Sequence, residues 1–501
     1  MKPVPFDVDN EAALREYLAA FGQEHVLRWW PELDAEQRQR LACQVAGIDL
    51  AQLRALYEQA TAAGGLAPVA LDVSVLRPAP VLRLASSFED WERDQRAAER
   101  GDEALFAGQV AVLCVAGGQG SRLGFRGPKG TFPIGPLSGK SLFQLHAEKV
   151  LALGRRYEKP LPFCIMTSPE NDEATRAFFA AHGHFGLDPE QVIFFTQGVM
   201  PAVDRETGRL LLAGKDRLAL SPNGHGGVLQ ALADGGHLAA LARRGVRQLF
   251  YFQVDNPLVK IADPAYLGYH LDAGAEMSLK VVAKNDPYEK VGTVVQEGEA
   301  PAELGRLRVI EYSDLPDELA AQRTPDGELV FWAGSIAIHL FDLAFLDRLA
   351  QNAAMLPFHR AVKRVPYLDD DGVLVMPAEP NAIKFEMFIF DALPLARRAL
   401  AVETDRREEF EPLKNAAGEN SPATVRQALA NLYAGWLRNA GVEVARRPDG
   451  SAAVPVEISP LYALDAAELR ARLARTEREP VTAPLLLDTP PAEPPEPETA
   501  G

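Results

Sequence analysis

The 501-residue chain has a formal net charge of −17, with 47% hydrophobic and 24% charged residues. This balance is that of a globular protein large enough for two or three domains. The acidic excess argues against nucleic-acid and anionic-membrane surfaces, which need an extended basic stripe. No apolar run approaches the ~18 residues of a membrane span, and no basic-then-apolar leader opens the sequence, so a cytoplasmic protein is expected. Cys43, Cys114 and Cys164 lack metal-like spacing, and the last two sit in apolar runs as buried thiols.

Residues 1–105 read as a helical N-terminal domain. Leu14, Leu18 and Phe21 recur at helical spacing, and Leu41, Val45, Leu50 and Leu53 continue the pattern. Ser86 or Ser87 is placed to cap a further helix beginning near Phe88.

The most informative stretch follows, VAVLCVAGGQGSRLGFRGPKGTFPIGPLSGKSLFQLHAEK, from Val110 to Lys149. An apolar β-branched run, Val110–Val115, ends in a loop containing Gly117, Gly118, Gly120 and Gly124, with Arg122 and Lys129 inside it. Glycines let backbone N–H groups close on an anion while the cations neutralise it, so the loop points to nucleotide phosphate. It is neither of two familiar loops. From Gly118 the third glycine of G-x-G-x-x-G is replaced by Leu123, and GPLSGKS at Gly135–Ser141 is one residue short of a P-loop.

Between residues 106 and 394, short apolar runs alternate with helical patterns. Strands are predicted at Val110–Val115, Phe163–Thr167, Val192–Thr196 and Leu249–Val254, and helices at Ser141–Tyr157, Glu170–His182 and Val228–Arg243. The alternation predicts an α/β fold with a doubly wound, mostly parallel, Rossmann-like sheet. Ligands of such sheets bind at the carboxyl ends of strands. The glycine loop, Thr167–Ser168, Gln197–Gly198 and Asp255 all fall there.

Residues 395–475 read as a small C-terminal domain that opens with an arginine-rich helix, Ala396–Val402, and has short strands after Gly441. Residues 476–501, ending PPAEPPEPETAG, read as a disordered, proline-rich acidic tail. His182 and His184 fit a helix carboxyl terminus better than a metal pair, and Asp369–Asp371 with Gly372 fits a turn rather than a calcium loop.

AGGQGSRLG followed by PKG resembles the signature loop of the UDP-sugar pyrophosphorylases, L-x-x-G-G-x-G-[TS]-R-L-G with a downstream P-K. Within them the chain is most similar to the eukaryotic-type UDP-N-acetylhexosamine pyrophosphorylases. The likeness continues in family order through FCIMTS, VIFFTQG, SPNGHGG, VDNPLVKIADP, EKVG, VIEYSD, WAGSIAIH, PNAIKFEMFIFD and FEPLKNA, over roughly residues 100 to 440.

The resemblance implies a nucleotidyltransferase. In that reaction a sugar 1-phosphate oxygen attacks the α-phosphorus of UTP in line and pyrophosphate leaves. The attacking phosphate has its second pKa near ~6 and needs no general base; the site must align two polyanions and stabilise the leaving group. Carried over residue by residue, Arg122 and Lys129 would bind the β- and γ-phosphates, and Lys384 and Lys414 the α-phosphate and sugar phosphate. Asp255 would hold Mg²⁺, which typically takes one or two protein carboxylates and keeps several waters. Uridine would lie against Ala116, Gly117, Gly118, Gln197, Asn223 and Gly224, with the Gln197 amide suited to the imide edge of uracil.

His225, Gly292, Glu311, Ser335 and Phe390 would shape the sugar site. Here the chain departs from the hexosamine pattern. His225 stands in a G-N-G-G frame, Ser335 ends a segment usually read N-A-G-N, and Trp332 replaces the first asparagine of that segment. N-acetylglucosamine 1-phosphate is the favoured acceptor, with glucose or a broader range of hexose 1-phosphates as the alternative. A silent sugar-nucleotide-binding protein would have lost Lys129, Asp255 or Lys384, and all three are present. The failed dinucleotide spacing argues against an oxidoreductase. The expected partners are small molecules alone, UTP and a sugar 1-phosphate, on a monomer or weak dimer.

Overall fold

A computed structural model of the chain describes residues 7, 10–62, 72–298, 306–351, 356–474 and 479–488. The contacts divide it into two compact units, one of residues 1–76, 197–237 and 347–395 and one of 77–196, 238–346 and 396–501. The predicted boundary at 105 falls inside the second unit, whereas the one at 394 lies one residue from a change of unit, and residues 106–394 are divided between both.

The second unit is built on a large sheet. The apolar run Val110–Val115 forms a strand whose residues are buried as far as Cys114, and so requires cover on both faces. It pairs in parallel with Phe163–Thr167 on one side and Gln248–Gln253 on the other, and Val192–Thr196 extends the parallel set. Gln248–Gln253 begins and ends one residue before the predicted strand. Beyond it, Ala333–Asp342 runs antiparallel, between Gln248–Gln253 and Met277–Ala283. Ala399–Glu403 and Val81–Leu82 then close this edge in parallel. The mostly parallel, doubly wound α/β sheet is therefore present, with Ala333–Asp342 and the side-branch strand Arg306–Ile310 reversed within it.

Helices cover its faces. Ser87 caps Phe88–Phe106 in a capping box with Asp90, and Ser141 caps Leu142–Arg156. Phe88–Phe106 crosses Pro264–Asp272 at very short range: a Cβ on Gly101 would lie 2.0 Å from the Pro264 carbonyl oxygen, and one on Gly268 1.7 Å from that of Ala97. Only glycine fits at either point.

In the first unit, Glu11–Ala20, Ala35–Ala46 and Leu50–Ala62 are helices, as the periodicity required. Their buried Leu14, Leu18, Leu41, Val45 and Leu53 pack with Val203, Leu210, Ile383 and Phe385. The last two lie on Ala382–Met387, the central strand of a small antiparallel sheet with Phe358–Lys363 and Val203–Asp204.

Four sequence readings need correction. Residues 1–105 are not one helical block, because Phe88–Phe106 belongs to the second unit. The helix expected over Val228–Arg243 breaks into Val228–Asp234 and His237–Arg243 where Gly236 takes φ +67°. The helix expected at Ala396–Val402 is instead the strand Ala399–Glu403, since two parallel neighbours satisfy its backbone and override alanine's helical preference. Part of the expected tail is ordered: Leu485–Leu487 pairs in parallel with Val456–Ile458. Residues 475–478 and 489–501 lie outside the described residues. The region after 396 holds the predicted mixture of helix, Pro422–Asn439 and Ala466–Leu473, and short strands. Its apolar residues share one core with the sheet.

His182 ends the helix Asp172–Ala181, its Nδ1 2.7 Å from the Phe178 carbonyl oxygen. Asp369 accepts from the Asp371 and Val373 amides in a turn between two short strands. Both match the structural readings.

Candidate active site

The glycine loop leaves the carboxyl end of Val110–Val115 and closes on itself. The Gly120 amide donates to Gly127 O and the Lys129 amide to Gly118 O, both at 3.0 Å, and Gly124 turns the chain with φ +68°. Among the described residues, the Gly117 and Gly118 amides meet no acceptor, which is what a loop built for an anion requires. Asn171, 1% exposed, fixes the loop from the next strand's end, its Nδ2 donating to Ala116 O at 3.0 Å and Gly118 O at 3.4 Å. Sequence reasoning missed Asn171 because a lone asparagine after a strand carries no motif.

Lys129 and Asp255, 126 residues apart, meet at 3.2 Å between Nζ and Oδ2. Both are largely buried, whereas Arg122 is exposed on the same loop. The turn carrying Asp255 is held from two sides. On the helix Leu142–Arg156, His146 Nε2 lies 3.0 Å from Val254 O, and Lys149 Nζ donates to Pro257 O at 2.6 Å and Val259 O at 2.8 Å. Burial pulls the Lys149 ammonium down to about 7 and, with the nearby Lys149 charge, the His146 imidazole down to about 3. From the later chain, the Leu413 amide donates to Asp255 O at 2.7 Å and the Asn256 side chain to Glu409 O at 2.7 Å. Lys414 follows directly, half-buried, with its amide bonded to Asn420 O at 2.8 Å.

Three predicted sugar residues converge on one corner of the same unit. Gly292 and Ser335 are direct cross-strand partners, and Glu311 follows the strand Arg306–Ile310 that pairs with Gly292–Glu297. A Cβ on Gly292 would lie 2.5 Å from Val309 Cγ1. The corner also holds a cation that sequence reading passed over. Lys284 is buried 3.3 Å from Thr293 Oγ1, and burial lowers its basicity.

The remaining predicted residues, Gln197, Asn223, Gly224, His225, Lys384 and Phe390, belong to the first unit. Gln197 and Asn223 are buried, and the Asn223 amide donates to Gly198 O at 3.0 Å beside the antiparallel pairing of Pro222 with Val199. Gly224, at φ +85°, packs so closely that a Cβ would sit 2.3 Å from Met387 O. His225 Nδ1 accepts the Ile389 amide at 3.2 Å, and the ring stacks on Phe388 with Phe390 5.7 Å away. Burial depresses this imidazole to about 4, so it is neutral near pH 7 with its proton on Nε2. Lys384 alternates with Ile383 and Phe385 on its strand and so lies on the face opposite the helical core.

No group of three or more metal-ligating side chains occurs among the described residues. Asp255, a single hard oxygen donor beside Lys129, fits a cation that draws its other ligands from phosphate and water. No helix of the described residues is long and apolar enough to cross a membrane.

Residues 83–435 match the family model for UTP–glucose-1-phosphate uridylyltransferase. The chain is 37% identical to the UDP-N-acetylhexosamine pyrophosphorylase-like protein 1 of Mus musculus, across 96% of this chain and 98% of that protein. It is likewise 37% identical to the UDP-N-acetylglucosamine pyrophosphorylase of Saccharomyces cerevisiae, across 84% and 90%. The structure of the Trypanosoma brucei uridine diphosphate N-acetylglucosamine pyrophosphorylase, solved with an inhibitor, superposes with a TM-score of 0.80 at 28% identity, covering 95% and 98%. Enzymes of this kind act on UTP and a sugar 1-phosphate and generally use a divalent metal ion. A nucleotidyltransferase sheet, a family model matched over residues 83–435 and relatives along nearly the whole chain converge: the protein belongs to the UDP-sugar pyrophosphorylase family of uridylyltransferases.

Proposed function

We propose that this uridylyltransferase joins UTP to N-acetylglucosamine 1-phosphate, releasing pyrophosphate. The reading is carried by the pairing of Lys129 with Asp255 at 3.2 Å beside a loop whose Gly117 and Gly118 amides lack acceptors. It is supported by relatives named for N-acetylglucosamine.

In this reading the Gly117 and Gly118 amides cradle the nucleotide beside Ala116, and Arg122 and Lys129 neutralise the β- and γ-phosphates and then the departing pyrophosphate. Asp255 is the protein ligand for a divalent cation, with Mg²⁺ proposed, which supplies further charge stabilisation when bound. Lys414 and Lys384 serve the α-phosphate and sugar phosphate, and Gln197, Asn223 and Gly224 recognise uridine. Gly292, Glu311 and Ser335, and in the other unit His225 and Phe390, are assigned to sugar recognition. The sugar phosphate is already ionised at neutral pH, so no side chain need remove a proton.

His225 and Ser335 favour a second reading, transfer to glucose or other unsubstituted hexose 1-phosphates. Both replace side-chain amides with groups that bond hydroxyls, and such a change alters which 2-substituent a pocket accepts. Pyrophosphate release from UTP, measured with a panel of sugar 1-phosphates, tests the two. The first predicts the highest kcat/KM with N-acetylglucosamine 1-phosphate; the second predicts it with glucose 1-phosphate.

A further inference from the structure

The loop Gly135–Ser141, one residue too short for a P-loop, nevertheless holds an anion. The Leu137 and Ser138 amides donate to Glu457 Oε2 at 2.6 and 2.8 Å, and the Ser138 hydroxyl donates to Oε1 at 2.5 Å. Glu457 is 1% exposed, and a Cβ on Gly135 would lie 2.8 Å from its Oε1. The loop is shaped around this carboxylate as a backbone nest is around phosphate. Lys140, at the position of a P-loop lysine, is also occupied. Its Nζ donates to Glu148 Oε2 and Ser459 Oγ, each at 3.0 Å, and to Asp488. Burial alone would depress this ammonium, but the Asp488 and Glu148 carboxylates outweigh it and keep Lys140 charged.

Glu457, Ser459 and Asp488 come from the C-terminal segment, and what they hold leads directly to the phosphate machinery. The Leu142 amide donates to Phe132 O at 3.1 Å, and the Phe132 amide donates to Lys129 O at 3.0 Å. Ser141 caps the helix whose His146 and Lys149 grip the Asp255 turn. One helix therefore connects the carboxylate-filled loop to both members of the Lys129–Asp255 pair.

We infer that Glu457 and Asp488 are positioning residues for uridylyl transfer: by filling the Gly135–Ser141 loop and securing Lys140, they fix the helix that sets Lys129 against Asp255. The inference rests on the proposed reading of that pair as phosphate and metal groups. Glu457→Ala empties the loop while leaving its amides in place. It should lower kcat about 10-fold and raise the half-saturating Mg²⁺ concentration, as lost outer-sphere support does at metal sites. The KM for N-acetylglucosamine 1-phosphate should stay unchanged, because Gly292 and Ser335 lie on other strands and Glu311 directly follows one. Sodium formate, a small carboxylate for the emptied loop, should restore kcat, and sodium chloride at equal ionic strength should not.

A folded Glu457→Ala with wild-type kcat and metal dependence overturns the inference, and so does a loss of kcat that formate leaves unrelieved. Should Glu457→Ala fail to fold, Asp488→Asn decides, since that carboxylate is 46% exposed. A rise of about 3-fold in half-saturating Mg²⁺ supports the inference, and an unchanged value refutes it. Asp255→Asn is assayed in parallel. Full activity there refutes the reading of the pair, whereas formate rescue of Glu457→Ala still reports on the loop itself.

Discussion

Single side chains carry the chemistry assigned to this protein. Lys129→Ala or Lys384→Ala should cost at least ~3 kcal/mol of transition-state stabilisation, the loss expected when one preorganised donor is removed. Pyrophosphate release under kcat/KM conditions reads that loss directly. Near-wild-type turnover in either variant removes that lysine from the phosphate site. The glycine loop was legible in the sequence as the break that ends the apolar strand Val110–Val115, and its role toward phosphate belongs to the proposal. Asn171, which ties Ala116 and Gly118 in place, was not legible, because its role exists only once two strands lie side by side. The same holds for Lys284, which burial alone distinguishes from a surface lysine.

At the scale of elements, strands with buried apolar runs were legible, because a continuous β-branched run has few other stable settings. Ala399–Glu403 was misread, since ALAVE suits a helix until Met277–Ala283 and Val81–Leu82 offer it pairing on both edges. The crossing of Phe88–Phe106 with Pro264–Asp272 yields a stability prediction. Gly101→Ala or Gly268→Ala forces a methyl group into a backbone carbonyl and should cost about 1–3 kcal/mol, as overpacking does. Denaturant midpoints check this, and an unchanged midpoint means that the helices separate at no cost.

The helix Leu142–Arg156 gives a pH prediction. Burial holds His146 neutral, down to about 3, while an unfolded histidine titrates near ~6.5. As pH falls below ~6.5 the unfolded chain binds the proton first, so this contribution to stability is full above that value and is lost toward pH 3. His146→Gln also gives up the contact with Val254 O. The gap in melting temperature between wild type and variant should therefore be widest at neutral pH and narrow on acidification. A gap that stays constant from pH 7 to pH 4 contradicts the buried, neutral assignment.

For the whole molecule, family and sheet were legible from blocks of sequence in a fixed order, whereas the division into compact units was not. Residues 197–237 and 347–395 join the N-terminal helices through a shared core that includes Leu18, Leu41, Ile383 and Phe385, which no local pattern announces. The predicted site residues are divided between the two units, with Lys129, Asp255 and Lys414 in one and Gln197, His225 and Lys384 in the other. The acidic chain places its cations Lys129, Lys284 and Lys414 in buried or half-buried settings, consistent with selectivity for small phosphorylated ligands. The most direct test is the rate of pyrophosphate release from UTP and Mg²⁺ with N-acetylglucosamine 1-phosphate against glucose 1-phosphate. The account predicts turnover with both substrates present and a clear preference for the N-acetylated sugar. Absence of pyrophosphate with every sugar 1-phosphate, or a preference for glucose 1-phosphate, would contradict it.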